Sequence, residues 1–245
     1  MNKTRALRPI PLGLTALVAL FSALAALAVT NGMAMGGNAH STPQAAAPMA
    51  MPMNMTMTVH GPRAHSEKAV ELRMDMRKLW EDHITWTRLA IISLEGGTPD
   101  TAATVGRLLQ NQTDIGNAIK PYYGDAAGNA LTQLLRSHIL IAADVIAAAK
   151  AGDAAGLADP QARWDKNADD IAAFLNSANP HNWELSTMKD EMHMHLKLTT
   201  DEAVAHLQGN WDADVAAYDA VHDHILHMSD LLATGIVKQF PKQFH

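Results

Sequence analysis

Residues 67–97, EKAVELRMDMRKLWEDHITWTRLAIISLEGG, decide the fold, because their apolar side chains recur at steps of three and four residues. This spacing lines them up along one face of an α-helix, whereas a half-buried strand would alternate apolar and polar positions. The apolar stripe carries Leu72, Met76, Leu79, His83, Trp86 and Ala90. The following Gly96-Gly97 pair predicts the end of the helix, so we expect it to span about residues 66–95.

The same periodicity continues toward the C-terminus without a β-rich run, and it predicts further helices. Pro99 suits the first turn of a helix, while Pro121 predicts that the same helix ends before it. The expected helices are 99–119, 125–150, 160–176, one that begins near His181, and a last long one. Short connections between such helices predict an all-α, antiparallel helical bundle of four to six helices.

Three histidines recur at the same distance from a downstream glycine, which indicates an internal repeat. The pairs, each separated by 14 residues, are His83 with Gly97, His138 with Gly152, and His195 with Gly209. This pattern predicts three tandem αα-hairpins, each with a histidine on the core-facing side of its first helix. A competing pattern is the capping box at residues 199–202, which would start a new helix there and break the third unit.

The histidines are also the best candidates for chemistry in the bundle. One core histidine is normally satisfied by a single hydrogen bond, but several buried imidazoles favour a shared partner such as a metal ion. Asp114 and Asp170 occupy matching positions on the helices that follow and could add ligands or hydrogen-bond acceptors. The candidate ligands in the bundle are therefore His83, His138, His195, His222, His224, His227, Asp114 and Asp170.

Composition and missing motifs exclude several classes of site. The chain has no cysteine, so it contains no disulfide, thiolate zinc site or iron–sulfur cluster. Its net charge of −6 and the lack of a basic run argue against nucleic-acid binding. The Glu-x-x-His pattern of di-iron bundles, the His-Glu-x-x-His of zinc proteases and the Gly-x-Ser-x-Gly of hydrolases are all absent.

The first 65 residues are expected to lie outside the bundle. Residues 1–34 have the basic start and apolar stretch of a signal peptide, or alternatively of an N-terminal membrane anchor. Residues 35–65 lack helical or strand periodicity and predict a disordered tether, which leaves 66–240 as the bundle domain. Thioethers suit Cu(I), so the tether's alternating methionines either form a second candidate site or belong to a low-complexity spacer: Met49, Met51, Met53, Met55 and Met57.

Two segments resemble known proteins. LWEDHITWTR at residues 79–88 and PYYG at 121–124 are similar to exported bacterial helical-bundle proteins of unassigned function. This resemblance covers about residues 70–240 and implies a helical fold but no activity. The methionine-rich tether resembles periplasmic copper-resistance and copper-chaperone proteins in composition only, which implies an exported location and a preference for copper.

These patterns together predict an exported protein, periplasmic or associated with the cell envelope, that binds a metal. Its expected role is metal capture, storage or tolerance, and it is not expected to be an enzyme. Copper is the expected ion, with iron or zinc as alternatives. A second hypothesis is a metalloenzyme with a redox metal held by His83, His138, His195 and His224. A third is a metal-free sensing or scaffold bundle attached to a membrane through its N-terminal segment. No pattern in the sequence identifies a protein partner.

Overall fold

The computed structural model describes residues 66–245, and this part of the chain is almost entirely helical. Its helices are α1 (Glu67–Gly96), α2 (Thr101–Ala151), α3 (Ala154–Ala178), α4 (Leu185–Leu207) and α5 (Trp211–Gln239), followed by a 3₁₀ turn at Pro241–Gln243. The predicted all-α bundle is confirmed for these residues. The predicted signal segment 1–34 and methionine-rich tether 35–65 lie outside the described residues.

Gly124 divides α2 into two helical segments, residues 101–123 and 125–151. Its φ of 81° and ψ of 168° are not helical, and glycine is the residue that adopts such angles without steric strain. The expectation that the second helix ends before Pro121 is wrong, since Pro121 lies inside the helix. The missing N–H of Pro121 removes one backbone hydrogen bond, but the helix continues until the backbone changes direction at Gly124.

The helices form three antiparallel hairpins that close into a ring. The hairpins are α1 with residues 101–123, residues 125–151 with α3, and α4 with α5. α5 also packs against α1, so the last hairpin returns to the first. In each hairpin the first helix ends at the glycine of the repeat, and Gly97, Gly152 and Gly209 have left-handed φ values of 63°, 67° and 68°. These glycines are left-handed helix caps, which explains their regular spacing.

The capping box predicted at residues 199–202 does not form, because Thr199 and Glu202 lie within α4. Both side chains are buried, and the Glu202 carboxylate pairs with Arg88 of α1. The tertiary contact therefore outweighs the local capping signal. α3 also begins earlier than expected, at Ala154, because the Asp153 carboxylate accepts a hydrogen bond from the Gly156 amide.

One apolar core runs through the bundle and takes side chains from every helix. Its fully buried members include Met76 and Ile84 of α1, Ile115 of α2, Ile171 of α3 and Ile225 of α5. Each such side chain contributes about 1.5–3 kcal/mol by leaving water. No helix between Glu67 and Gln239 has an apolar stretch long enough to cross a membrane.

The break in α2 makes a prediction about Gly124. A Cβ added at Gly124 meets no atom within 4 Å, so the Gly124→Ala substitution strains only the backbone. We expect it to lower the free energy of unfolding by about 1–3 kcal/mol in urea denaturation. Gly106 is the matched control, because it is exposed, helical and equally free of neighbours. Gly106→Ala should instead raise stability by roughly 0.5–1 kcal/mol, and equal effects at both positions would contradict the interpretation.

Candidate functional site

Three histidines from three hairpins meet at the centre of the bundle. His83, His138 and His195 are only 3%, 3% and 4% exposed. The ring centroids of His83 and His195 are 5.7 Å apart, and those of His138 and His195 are 6.0 Å apart. The sequence predicted that each of these rings faces the core but not that they converge. We call these three residues the histidine centre.

Equivalent hydrogen bonds join the two helices of each hairpin beside the histidine centre. In every case a side chain of the second helix donates to the backbone carbonyl four residues before the central histidine. The bonds are Asn111 Nδ2 to Leu79 O at 3.0 Å, Asn167 Nδ2 to Leu134 O at 3.1 Å, and His224 Nε2 to Glu191 O at 3.1 Å. The three hairpins are therefore related in detail as well as in outline.

The partners of the Nδ1 atoms differ between the three rings. Asn167 Oδ1 lies 2.9 Å from His138 Nδ1, and because the Asn167 nitrogen is already used, Nδ1–H donates and Nε2 keeps a lone pair. Gln112 Nε2 lies 3.1 Å from His83 Nδ1 and shares its two hydrogens among this nitrogen, the Leu108 carbonyl and Asn111 Oδ1, so His83 Nδ1 faces a donor and the ring carries its proton on Nε2. His195 Nδ1 is buried without a hydrogen-bond partner among residues 66–245.

The orientation of the Gln112 amide, on which the His83 tautomer depends, follows from its other contacts. Gln112 Nε2 is 2.9 Å from the Leu108 carbonyl and 3.1 Å from Asn111 Oδ1, and both of these atoms are acceptors. The donor nitrogen therefore has to face this corner of the site. As a consequence, Gln112 Oε1 is buried with no donor within reach in the described structure.

Burial keeps the imidazoles of the histidine centre uncharged. Loss of water lowers the pKa of His83 to about 3, with a further decrease from the neighbouring His138. Burial likewise lowers the pKa of His138 to about 4, against the opposing hydrogen bond to Asn167. The pKa of His195 falls well below 6.5, first through burial and then through the other histidines. Neutral imidazole is the form that binds a metal ion.

Aromatic rings enclose the histidine centre. Trp80 packs edge-on against His83 at a centroid distance of 5.7 Å, and Trp164 lies 5.3 Å from His138. The third hairpin uses His224 instead, whose ring stacks on His195 at 6.2 Å. His224 is thus the fourth imidazole of the cluster, although its Nε2 is occupied by the Glu191 carbonyl.

An apolar cavity of about 20 Å³ lies on the side of the histidine centre toward the start of α1. Trp80, Leu135 and Met192, each three residues before a central histidine, line this cavity. Met76 and Met228 also line it, so three thioether side chains face the same space. Thioethers are soft ligands that suit Cu(I).

Four of the sequence-predicted ligands are not brought to the histidine centre. Asp114 accepts a hydrogen bond from Gln110 at 3.0 Å, and Asp170 pairs with Lys166 at 2.6 Å. His222 contacts Glu81 at 3.4 Å, and His227 contacts Glu191 at 3.3 Å. All four side chains reach solvent, where a carboxylate or imidazole keeps its hydration at no cost. Of the Asn–Asp pairs on α2 and α3, the members that face inward are the neutral Asn111 and Asn167 instead.

Sequence reasoning missed Gln112, although the repeat contains a signal for it. Gln112 stands 29 residues after His83, the same distance that separates Asn167 from His138 and His224 from His195. An alignment of the three units on their histidines would therefore have placed these side chains in equivalent positions.

A buried ion cluster near the glycine-capped end was also missed. Arg88 Nη1 lies 2.7 Å from Glu202 Oε1 and 2.8 Å from Asp214 Oδ1, while Nη2 lies 2.9 Å from Asp214 Oδ2. His206 Nδ1 adds a contact of 2.9 Å to the same Asp214 oxygen. No sequence signal could have found it, because the acidic partners lie 114 and 126 residues from Arg88.

The described residues contain no ready-made metal site, and comparison with known proteins found no match. Within residues 66–245, no three histidine, aspartate or glutamate side chains are already arranged closely enough to hold a metal ion. No protein-family model, curated protein or solved structure matches this chain. The case for function therefore rests on the geometry of the histidine centre and its surroundings.

The lowered histidine pKa values predict that the fold loses stability in acid. Between the ordinary value of 6.5 and the folded values of about 3 for His83 and about 4 for His138, the unfolded chain binds protons that the folded chain does not. The free energy of unfolding should therefore be highest above pH 6.5 and fall toward pH 4, by up to about 1.4 kcal/mol per pH unit for each histidine.

Urea denaturation between pH 7.5 and pH 4.5 measures this slope. His138→Gln should make the slope shallower, because Gln does not titrate. His181→Gln is the control, since His181 is exposed and lies outside the histidine centre. Equal slopes in the wild type and the His138→Gln protein would show that the buried ring does not control acid stability.

Proposed function

We propose that this protein binds one metal ion, copper in the first instance, between His83, His138 and His195, and that it captures or stores the ion. The observation that carries the proposal is the convergence of three buried, uncharged imidazoles from three hairpins. Burying three polar rings together is costly unless they share a partner, and a metal ion bonds to all three at once.

The observed ring separations are close to those of a ligated metal. Imidazole nitrogens at about 2.0–2.1 Å from one ion place two ring centroids about 5–5.5 Å apart. The His195 ring centroid lies 5.7 Å from that of His83 and 6.0 Å from that of His138, so each of these two pairs needs to close by roughly half an ångström. Side-chain torsions absorb a movement of this size without a change in the helices.

Two features of the ligand environment favour copper. All the ring ligands are neutral imidazoles, and for a given set of such ligands Cu²⁺ binds more tightly than the other divalent first-row ions. The cavity lined by Met76, Met192 and Met228 places thioethers one to two helical turns from the rings, which suits Cu(I). Iron and zinc also accept imidazole ligands, so the experiment below compares all three metals.

The tautomers specify what has to change when the metal binds. His138 already presents a lone pair at Nε2, because Asn167 Oδ1 holds the proton on Nδ1. His83 has to move its proton from Nε2 to Nδ1, which requires rotation of the Gln112 amide. That rotation brings Oε1 of Gln112, now without a donor, to face His83 Nδ1–H. The rotation costs the contacts that Gln112 Nε2 makes with the Leu108 carbonyl and with Asn111 Oδ1.

A metal-free bundle is the second candidate function. It is favoured by the donor that Gln112 directs at His83 Nδ1 and by the lack of a ready-made ligand group between residues 66 and 245. In this interpretation the three rings set the packing of the hairpins, and the bundle acts as a scaffold or sensor.

The deciding experiment is elemental analysis of the full chain, purified without an affinity tag. The protein is incubated separately with excess copper, zinc and iron and dialysed before metal is counted. We expect the wild type to retain copper, and His138→Gln and His195→Gln each to retain about one ion fewer per chain. The exposed His181→Gln protein should match the wild type, and paramagnetic resonance of the Cu(II) form should show nitrogen ligands.

A variant with five substitutions distinguishes copper bound by the bundle from copper bound by the tether. Met49, Met51, Met53, Met55 and Met57 are changed together to Leu, which removes the alternating thioethers of the tether and leaves the histidine centre intact. Copper that this variant keeps and His138→Gln loses belongs to the bundle. If the histidine variants keep all their copper, the proposed centre is wrong. If no metal is retained by any form, the metal-free bundle is the correct description.

A further inference from the structure

A second cavity, of about 50 Å³, lies on the opposite side of the histidine centre, toward the three glycine caps. We call it the axial cavity, because the three histidine-bearing helical segments line it at successive turns. Thr87, Ala142 and Thr199, each four residues after a central histidine, form its inner end. Ile91, Ile146 and Ala203 follow one turn further out. Glu95, twelve residues after His83, belongs to the outer part.

The axial cavity and the histidine centre share a wall. Trp164 lines the cavity and also packs against the His138 ring at 5.3 Å. Thr87 lies directly above His83, because its hydroxyl donates to the His83 carbonyl at 2.8 Å. The inner end of the cavity is therefore one helical turn from the imidazoles.

Two oxygen atoms in this mostly apolar cavity have no partner. Thr199 is 7% exposed, and its Oγ1 is buried without a hydrogen bond among the described side chains and backbone. Glu95 Oε2 is also buried and also lacks a hydrogen-bond partner among residues 66–245. Buried polar atoms normally have partners, so each oxygen is a site where a ligand gains a contact that the protein alone leaves unmade.

The charges around Glu95 favour a cation. Burial, and then the nearby Asp214 and Glu202, raise the pKa of Glu95 to about 8, while Lys150 acts in the opposite direction. Arg88 is already engaged by Glu202 and Asp214, and the Lys150 ammonium donates to the Leu94 carbonyl at 2.9 Å. Glu95 therefore has no cation paired directly with it in the described structure. An incoming metal cation would supply the missing positive charge.

The cavity on the other side of the histidine centre has a different character. Its volume is about 20 Å³ and its lining is apolar and aromatic, with Tyr123, Phe174 and Trp183 toward the far end of the bundle. It contains no carboxylate or histidine among its lining residues. A hydrated cation is stabilised by oxygen ligands and not by such a surface, so the two sides of the centre are not equivalent as routes.

We propose that the axial cavity is the route by which a metal cation reaches the histidine centre, with Glu95 as its first protein ligand and Thr199 Oγ1 as the next oxygen inward. This inference rests on the proposed function, since it concerns the loading of the same site. It assigns roles to two residues outside the centre itself. The Glu95 carboxylate contacts the cation at the outer part, and Thr199 Oγ1 replaces one of the water molecules that the cation loses on the way in.

The test is a rate measurement on the full, metal-free chain. Stopped-flow mixing with Cu²⁺ follows the quenching of tryptophan fluorescence, because Trp80 and Trp164 pack on the histidine centre. Glu95→Gln keeps the shape and removes the carboxylate ligand, and we expect loading to be slower by about tenfold or more. Ala203→Leu fills the cavity and should slow loading without touching any charged group. The amount of copper bound at equilibrium should stay at the wild-type value in the Ala203→Leu protein.

Ala178→Leu is the matched control, because it adds the same bulk to the apolar cavity on the other side. It should load at the wild-type rate. If Glu95→Gln and Ala203→Leu load as fast as the wild type while copper still binds, the route is wrong and the histidine centre stands. If Ala178→Leu is the slow variant, the ion enters from the opposite side. If the wild type binds no copper that depends on the histidines, the proposed function itself fails.

Discussion

The burial of three uncharged imidazoles at one point is the constraint on which the rest of this structure depends. Neutral imidazole still has one donor and one acceptor nitrogen, and in a dry interior each needs a partner or leaves a cost. In two hairpins the second helix supplies a hydrogen-bonding side chain to the ring, Gln112 or Asn167, whereas in the third hairpin His224 stacks on His195 and hydrogen-bonds the Glu191 carbonyl. The hairpins are therefore fixed in register by polar contacts as well as by apolar packing.

The three units are similar in backbone and different in chemistry. An amide nitrogen faces the Nδ1 of His83, an amide oxygen faces that of His138, and the third unit offers His195 only the stacked ring of His224. Nε2 of His83 is thus a donor and Nε2 of His138 is an acceptor. No hydrogen bond sets the tautomer of His195. Such inequivalence is a property of the side chains, since the left-handed glycine caps and the carbonyl hydrogen bonds repeat in all three units.

The two sides of the histidine centre differ in polarity, and so do the two ends of the bundle. Toward the start of α1 the interior is sealed by apolar, aromatic and methionine side chains. Toward the glycine caps it contains the unsatisfied oxygens of Glu95 and Thr199 and lies near the Arg88, Glu202 and Asp214 cluster. The ion cluster and the unpaired Glu95 together make this end of the bundle the polar one.

The sequence by itself determined the helical fold class, the recurring histidine–glycine spacing and the inward-facing positions of His83, His138 and His195, because these follow from a 3.6-residue period and from glycines that local backbone geometry requires. It did not determine that the rings converge, that Pro121 stays helical, or that Glu202 pairs with Arg88 rather than capping a helix. Nor did it separate the buried Asn111 and Asn167 from the solvated Asp114 and Asp170. Those outcomes depend on which helices become neighbours and on what each side chain gains or loses by leaving water, and only the tertiary structure decides both.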